Sequence, residues 1–137
     1  MKLDSSAFVA DQELLDALEK RATAVVCEED RILFHQGELP AGLFILQSGR
    51  ATLSMHAPDG GTLMSIPLKQ GSLLGLPGLV GNQPYSLTAK AMKGATLSFV
   101  TREAFSNMML TQPALSLHVL RVLAAEVRNA RTAITEV

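Results

Sequence analysis

Short apolar runs separated by turn residues fill the middle of this 137-residue chain and restrict the folds open to it. Between residues 24 and 100 the runs are AVVC, RILFH, LFILQS, ATLSMH, TLMSIPL, SLTAKA and ATLSFV. Each has the length of a strand, and the connectors QGELPAG, SG, PDGG, KQG and KG carry turn residues. The clearest hairpin is PDGG, where Gly60 and Gly61 can supply positive φ. Regularly spaced short strands with such connectors predict an antiparallel barrel or sandwich.

Helical patterns flank this strand-rich region. Asp11 precedes apolar residues at helical spacing, Thr101 can cap a short helix, and Pro113 can open a longer one. The sequence therefore predicts one mainly β domain over residues 1–137, an antiparallel roll with flanking helices. Its expected parts are an N-terminal helix at 11–21, a β-roll at 24–100, a short helix at 101–110 and a long C-terminal helix at 113–134.

The last helix carries a second apolar pattern. Its residues recur at alternating steps of three and four, which is typical of the seam of a two-helix coiled coil. The seam consists of Leu120, Leu123, Val127, Ala130 and Ile134, and Val119 and Val122 widen it. A single amphipathic helix commonly packs on its own domain. A small barrel covers only part of a helix of about 22 residues, so the sequence favours a parallel homodimer through this helix.

Composition argues against several classes of partner. A net charge of −1 creates no field that would hold nucleic acid or an anionic membrane. The last helix contains Arg121, Arg128 and Arg131, but Glu126 and Glu136 offset them, which is typical of a solvated face. We therefore expect neither direct DNA binding nor membrane association by this chain.

The expected compartment is the cytoplasm. The first residues, MKLDSSAFVAD, contain acids and no apolar core of a signal peptide, and no apolar run reaches the length of a membrane span. The single cysteine, Cys27, excludes an internal disulfide and suits a reducing compartment as a small buried hydrophobe.

The segments GELPAGLFILQSGRATL and TREAFSNMMLTQPALSLHVLRVLAAEV, in this order of elements, resemble the cyclic nucleotide-binding domain of CRP/FNR regulators. The similarity covers about Asp11 to Ile134. Its most specific part runs from Phe34 to Arg50. There the resemblance implies turns at Gly37 and Gly49 and structural or exposed positions for Glu38 and Arg50. It implies a cyclic nucleotide-binding-type roll acting in regulation.

The residues that would bind the nucleotide depart from the family pattern. In the family, a glycine precedes a glutamate that bonds the ribose, and a later arginine pairs with the cyclic phosphate. Aligned on Gly75, the glutamate is replaced by Leu76, and a short helix is expected from Pro77; Tyr85 stands in place of the arginine. Losing two charge-assisted hydrogen bonds removes about 3 to 6 kcal/mol. A micromolar site would become roughly millimolar or weaker.

The resemblance thus implies a degenerate cassette, and cyclic nucleotide is not expected as its ligand. The cassette comprises Leu74, Gly75, Leu76, Pro77, Gly78, Tyr85, Ser86, Leu87 and Thr88. Two occupants stay open: a weakly polar small effector in an apolar pocket lined by the leucines, or the protein's own side chains, with Tyr85 sealing the cavity. Lys90, five positions beyond Tyr85, is interpreted as a surface residue rather than a substitute cation.

No enzyme signature emerges. His35, His56 and His118 are isolated on different elements, whereas a metal needs three or four converging ligands. No catalytic or metal-binding residue and no certain cofactor is predicted. The sequence therefore predicts a non-catalytic regulatory or sensory module. The alternatives are a dimeric adaptor with a filled pocket, or the sensory fragment of a transcription regulator whose DNA-binding domain is absent.

Overall fold

Two four-stranded antiparallel sheets form the body of the molecule. The computed structural model describes the backbone of residues 5–135 and the side chains of residues 5–131. The first sheet has the order β1-β8-β3-β6 and the second β2-β7-β4-β5. The strands are β1 Thr23–Val26, β2 Arg31–Phe34, β3 Gly42–Ser48, β4 Ala51–His56, β5 Thr62–Pro67, β6 Leu73–Leu74, β7 Thr88–Ala91 and β8 Thr96–Thr101. The predicted antiparallel roll is confirmed.

Strand β6 is absent from the sequence prediction. It pairs with β3 through Phe44 opposite Leu74 and Ile45 opposite Leu73. Two residues are too few to show a period of two, so only the pairing defines this strand.

Gly37, Gly49 and Gly60 have the positive φ expected at turns, whereas Gly61 does not. Gly37 and Gly49 have φ of 95° and 84°, which side chains rarely adopt. The β4–β5 hairpin closes with Gly60 at φ 90° and a hydrogen bond of 2.8 Å from the Ala57 N–H to the Gly61 carbonyl. Glu38 and Arg50 are exposed. The glycines therefore serve the turns of the roll, and Glu38 and Arg50 lie on its surface.

Helices flank the roll at both ends of the chain, and one short helix lies between two of its strands. They are a 3-10 helix at Ser5–Phe8, α1 at Gln12–Glu19, α2 at Leu76–Gly81, α3 at Arg102–Thr111 and α4 at Leu115–Thr135. The predicted cap at Thr101 is confirmed, since its Oγ1 accepts from the Ala104 N–H at 3.1 Å. Asp11, predicted as the first residue of its helix, is the cap of α1, and its Oδ1 accepts from the Leu14 N–H at 3.0 Å. Each side chain satisfies a donor that the first helical turn leaves unpaired.

The buried side chains form two clusters. One lies inside the roll and includes Phe34, Phe44, Leu46, Leu74 and Tyr85. The other lies between the first sheet and the helices and includes Leu14, Leu18, Leu43, Leu76, Phe105, Val119 and Val122. Cys27 is buried in the first cluster, which confirms its interpretation as a small hydrophobe.

The first turn of α4 contacts the first turn of α1 and its cap. Val119 and Val122 face the second cluster and are buried. His118 Nδ1 lies 2.6 Å from Asp11 Oδ2, and its Nε2 lies 3.2 Å from Glu13 Oε2. The sequence interpretation of His118 as isolated missed this contact, because 107 positions separate it from Asp11.

Candidate functional site

The loop and short helix after β6 begin at Gly75. Gly75 has φ 97° and precedes α2, which starts at Leu76, one residue before the expected Pro77. A Cβ on Gly75 would lie 2.7 Å from Cε1 of Tyr85 and 3.4 Å from Cε2 of Phe34. Glycine is required here both by the backbone conformation and by the aromatic ring packed against it.

Tyr85 is part of the core of the roll. Its side chain is 5% exposed, and its ring stacks on Phe34 with a centroid distance of 3.7 Å and an interplanar angle of 16°. The hydroxyl donates a hydrogen bond of 2.5 Å to the Gly42 carbonyl. Burial raises the pKa of this phenol, although the backbone contacts at Gly42 and Ala41 act in the opposite direction. The ring is thus held by stacking and by a satisfied polar end.

The cassette positions divide between the two clusters. Leu76 is fully buried among the helix-facing side chains, whereas Tyr85 and Leu74 belong to the cluster inside the roll. Thr88 is buried, and its Oγ1 accepts a hydrogen bond of 2.9 Å from the Gln36 N–H. Leu76 and Tyr85, aligned with the family's glutamate and arginine, therefore face different clusters.

The remaining cassette residues line a small cavity. It has a volume of about 20 Å³ and is bordered by Gly75, Pro77, Gly78, Tyr85, Ser86 and Leu87, with Glu126 from α4. A buried water needs roughly 10 to 15 Å³, whereas sites for small molecules occupy roughly 300 to 1,000 Å³. In this structure the cavity has room for about one water.

Glu126 is the lining residue that the sequence interpretation missed. It was assigned to a solvated face with the arginines, and that assignment is wrong for its carboxyl group. Its Oε2 atom is buried and finds no hydrogen-bond partner among the described residues. Burial raises the pKa of this carboxyl to about 8. Arg121, Arg128 and Arg131 are exposed, as expected for a solvated face.

Helical spacing contains a signal for this placement. Glu126 follows Val122 by four residues and Val119 by seven, so the three share one face of α4. Val119 and Val122 are buried, and the same face continues over the roll to Glu126. A charged residue on the extension of a buried apolar stripe points to a polar group held inside the fold.

A larger space adjoins the small cavity. Its volume is about 190 Å³, and Ser86, Leu87 and Glu126 border both spaces. The rest of its wall comes from the 3-10 helix, the β4–β5 hairpin and the later turns of α4, including Phe8, Met55, Met64, Ile66, Asn129 and Ala130. Lys90 is half-buried on β7 and borders neither space.

A neighbouring face of α4, partly overlapping the one that carries Glu126, presents apolar side chains to solvent. Leu120 is 57% and Val127 50% exposed, Leu123 is half-buried and Ala130 is exposed. Ile134, the last residue of the predicted seam, lies outside the part of the chain whose side chains are described. Leu120 and Leu123 also border a groove of about 450 Å³ between α2, α3 and α4, together with Leu79, Val80, Phe105 and Met109.

The described residues show neither of two other site types. No cluster of three or more His, Cys, Asp or Glu side chains within residues 5–131 is arranged to hold a metal ion. Within residues 5–135, no helix combines the length and apolar character needed to cross a membrane.

An eight-stranded roll with a short helix after β6 and a long helix at its end defines a class of regulatory domain. Residues 24–112 match the model of the cyclic nucleotide-binding domain, and the chain belongs to that family. The resemblance to CRP/FNR regulators is confirmed.

Two curated proteins are similar to this chain over part of their length. It is 26% identical over 131 residues to the transcriptional activator protein FnrA of Stutzerimonas stutzeri, covering 93% of this chain and 51% of that protein. It is 28% identical over 123 residues to an uncharacterised NTE family protein of Mycobacterium tuberculosis, covering 88% of this chain and 20% of the relative. The chain therefore spans about a fifth to a half of the length of these relatives.

A solved structure shows the same fold. The catabolite activator protein of Thermus thermophilus superposes with a TM-score of 0.78 at 21% identity, over 91% of this chain and 59% of that one. At this identity the likeness concerns the fold alone.

Proposed function

We propose that the chain is a non-catalytic regulatory module of the CRP/FNR type whose cassette no longer binds cyclic nucleotides in the usual way. The observation that carries the proposal is the position of Tyr85. At the place aligned with the family's arginine, a phenol ring stacks on Phe34 and its hydroxyl is bound to the Gly42 carbonyl. The ring occupies space that a ligand would need, and it offers no positive charge to a phosphate.

The electrostatics of the cavity support the same conclusion. Among the described residues, no Lys, Arg or His lies in its wall, while the buried carboxyl of Glu126 borders it. A cyclic phosphate placed there would lose its hydration without gaining a cation, which is costly. If Glu126 were ionised, it would also repel the phosphate.

Calorimetric titration of the folded protein with cyclic AMP and cyclic GMP tests this proposal. We expect no saturable heat below roughly millimolar ligand, because two charge-assisted contacts are missing. Saturable micromolar binding that Tyr85→Ala weakens would overturn it. A thermal melt of each sample confirms that the protein titrated is folded.

The proposed module forms a parallel homodimer through α4. Support comes from the exposed apolar side of this helix, where Leu120 and Val127 are half exposed. Such residues normally become covered when they form a continuous stripe. The net charge of −1 gives DNA no attractive field, so the proposed partner of this helix is a second copy.

Sedimentation measurements of mass test the dimer. Leu120→Asp and Val127→Asp should each shift the protein towards monomer, because a carboxylate cannot be buried at the seam without a partner. Leu39→Asp is the matched control, since Leu39 is 75% exposed in the loop between β2 and β3. A wild-type monomer at high concentration, or equal behaviour of all three variants, contradicts the proposal.

Regulation would operate through α4, because this helix borders the cavities on one face and carries the proposed dimer seam on a neighbouring face. Glu126 borders the cavities and Val127 is exposed on the outer side. Occupancy next to Glu126 would bias the position of the helix only if the ligand binds two arrangements of it with different affinity. The proposed output is therefore a shift of α4 relative to the roll.

An adaptor that binds only proteins is the second candidate. The 20 Å³ cavity favours this candidate, since a filled pocket has no room for a small-molecule ligand. The groove between α2, α3 and α4 offers a partner protein an apolar surface. A thermal-shift screen separates the two candidates. A ligand at 100 times its Kd adds about 2.7 kcal/mol of stability. If no metabolite shifts melting while a partner protein does, the adaptor candidate is favoured.

A further inference from the structure

Beside the filled cassette lies a space that offers a ligand one buried carboxyl in an apolar wall. Its volume of about 190 Å³ corresponds to roughly ten non-hydrogen atoms at the packing density of protein interiors. Phe8, Met55, Met64 and Ile66 supply apolar surface, and the two thioethers can adapt to ligands of different outline. Glu126 supplies the acidic group.

The carboxyl of Glu126 has no charged partner among residues 5–131, whose side chains the structure describes. Its Oε2 accepts no hydrogen bond from the described residues, and burial is the cause of its raised pKa. No cationic or other titratable side chain borders the 190 Å³ space in the described part of the chain. In the adjoining 20 Å³ cavity the other titratable group is Tyr85, whose hydroxyl donates to the Gly42 carbonyl. A buried acid without a partner is costly, and a cation would compensate it.

We propose that this space binds a small organic amine, an ammonium group on an apolar body of about ten non-hydrogen atoms, with Glu126 as its anionic partner. The apolar body would lie against Met55, Met64 and Phe8, whose ring can also contact a cation. The proposal deepens the regulatory function above and rests on it, because binding at Glu126 is the event that α4 would transmit. It also inverts the charge preference of the family's pocket, from an anion to a cation.

Proton release follows from this chemistry. Because burial raises the pKa of Glu126 to about 8, its carboxyl is mainly protonated at pH 7 before binding. When the ammonium binds, that proton passes to solvent and the carboxylate pairs with the ligand. Amine affinity should therefore rise about tenfold from pH 6 to pH 7 and level off above pH 8.

The test uses phenethylamine as probe, with 2-phenylethanol and 3-phenylpropionate as neutral and anionic counterparts. Calorimetry at pH 7 should show at least a tenfold preference for the amine over the alcohol and no binding of the acid. Repeating the titration in buffers of different ionisation enthalpy should show release of a proton. In Glu126→Gln, which keeps the shape of the side chain, amine affinity should fall to that of the alcohol and lose its pH dependence.

Methionine methyl resonances locate the binding. Met55 and Met64 should shift with the amine, whereas Met108, buried in the other cluster, should not. Equal affinity for amine and alcohol, an unchanged Glu126→Gln variant, shifts at Met108 alone, or no binding by the folded wild type would each overturn the amine proposal. None of these results would contradict the regulatory proposal, because only tight binding of cyclic nucleotides overturns that proposal.

Discussion

The space around Tyr85 and the space beside Glu126 share part of one wall but are filled to different extents. Around Tyr85 the volume left is about 20 Å³, and the buried hydroxyl has an acceptor. Beside Glu126 about 190 Å³ is open, and a buried carboxyl oxygen has no partner among the described residues. The Tyr85 hydroxyl is therefore already hydrogen-bonded within the roll, whereas the Glu126 carboxyl oxygen is free to bind a ligand. Any binding capacity of this side of the molecule is therefore concentrated next to α4.

Replacing Tyr85 should have the largest effect, because it tests whether the filled side is structural. Tyr85→Ala removes a buried, stacked ring and should lower the free energy of unfolding by about 3 to 5 kcal/mol. Tyr85→Phe keeps the stacking and loses only the bond to the Gly42 carbonyl, so about 1 to 2 kcal/mol is expected. Urea unfolding monitored by circular dichroism measures both. A loss below about 1 kcal/mol for Tyr85→Ala would show that the ring is not a core element.

The pH dependence of stability tests the open side. The pKa of Glu126 is about 8 in the folded protein, above the ordinary 4.5, so the folded state holds the proton more tightly than the unfolded state. This contribution is complete below about pH 4.5 and is lost as pH rises towards 8, by at most about 1.4 kcal/mol per pH unit. Unfolding of wild type and Glu126→Gln compared from pH 5 to 9 measures it. Parallel curves for the two proteins would mean that the carboxyl is solvated.

Gly75→Ala tests how tightly the Tyr85 ring packs against the backbone at Gly75. The new methyl group meets both a positive φ and the Tyr85 ring at 2.7 Å, so a loss of about 2 to 3 kcal/mol is expected. Gly60→Ala is the matched control, because Gly60 has φ 90° with nothing within 4 Å of the added atom. Denaturant unfolding of the pair separates backbone strain from the clash. Equal losses would indicate that the Tyr85 ring moves aside freely.

The smallest effect is expected where α4 is fastened to α1. Asp11→Ala removes both the cap of α1 and the contact with His118 and should cost about 1 kcal/mol. Asp11→Asn keeps the cap and loses the charge, so its cost should be smaller. Thermal unfolding of the two variants at pH 7 checks this order. An equal loss in both would assign the whole effect to the charge.

Acid should weaken the same contact. Burial would raise the pKa of Asp11, but hydrogen bonds from His118 and the Leu14 N–H lower it overall. A lowered pKa gives stability that is present above the ordinary value of 3.8 and is lost as pH falls through the folded value. Asp11→Ala should therefore show a smaller loss of stability in acid than the wild type.

Prediction from sequence succeeded where the chain has local periodicity or strong turn chemistry. Seven strand-like runs, the PDGG hairpin and the cap at Thr101 all depend on neighbours within a few residues. Strand β6 was missed because two residues show no period. The contact of His118 with Asp11 was missed because it joins residues 107 positions apart.

For the candidate site, the resemblance to the family predicts that Leu76 and Tyr85 stand where a glutamate and an arginine would bind the nucleotide, but it left open whether the pocket is filled. Leucine and tyrosine occur both in pocket walls and in cores, so residue type alone does not separate the two. The position of the Tyr85 ring against Phe34 and Gly75 depends on three segments that meet only in the folded roll.

The alternation of strands and turns and the flanking helices can be read from the amino-acid sequence, because both are properties of residue type and short-range spacing. The placement of the Tyr85 ring in the cavity, and of the Glu126 Oε2 atom beside it with no hydrogen-bond partner among the described residues, depends instead on tertiary packing. Burial and hydrogen bonding of a side chain depend on which distant elements pack around it. For Tyr85 these elements are the segments of the roll that carry Phe34, Gly42 and Gly75, and for Glu126 it is the packing of α4 on the roll.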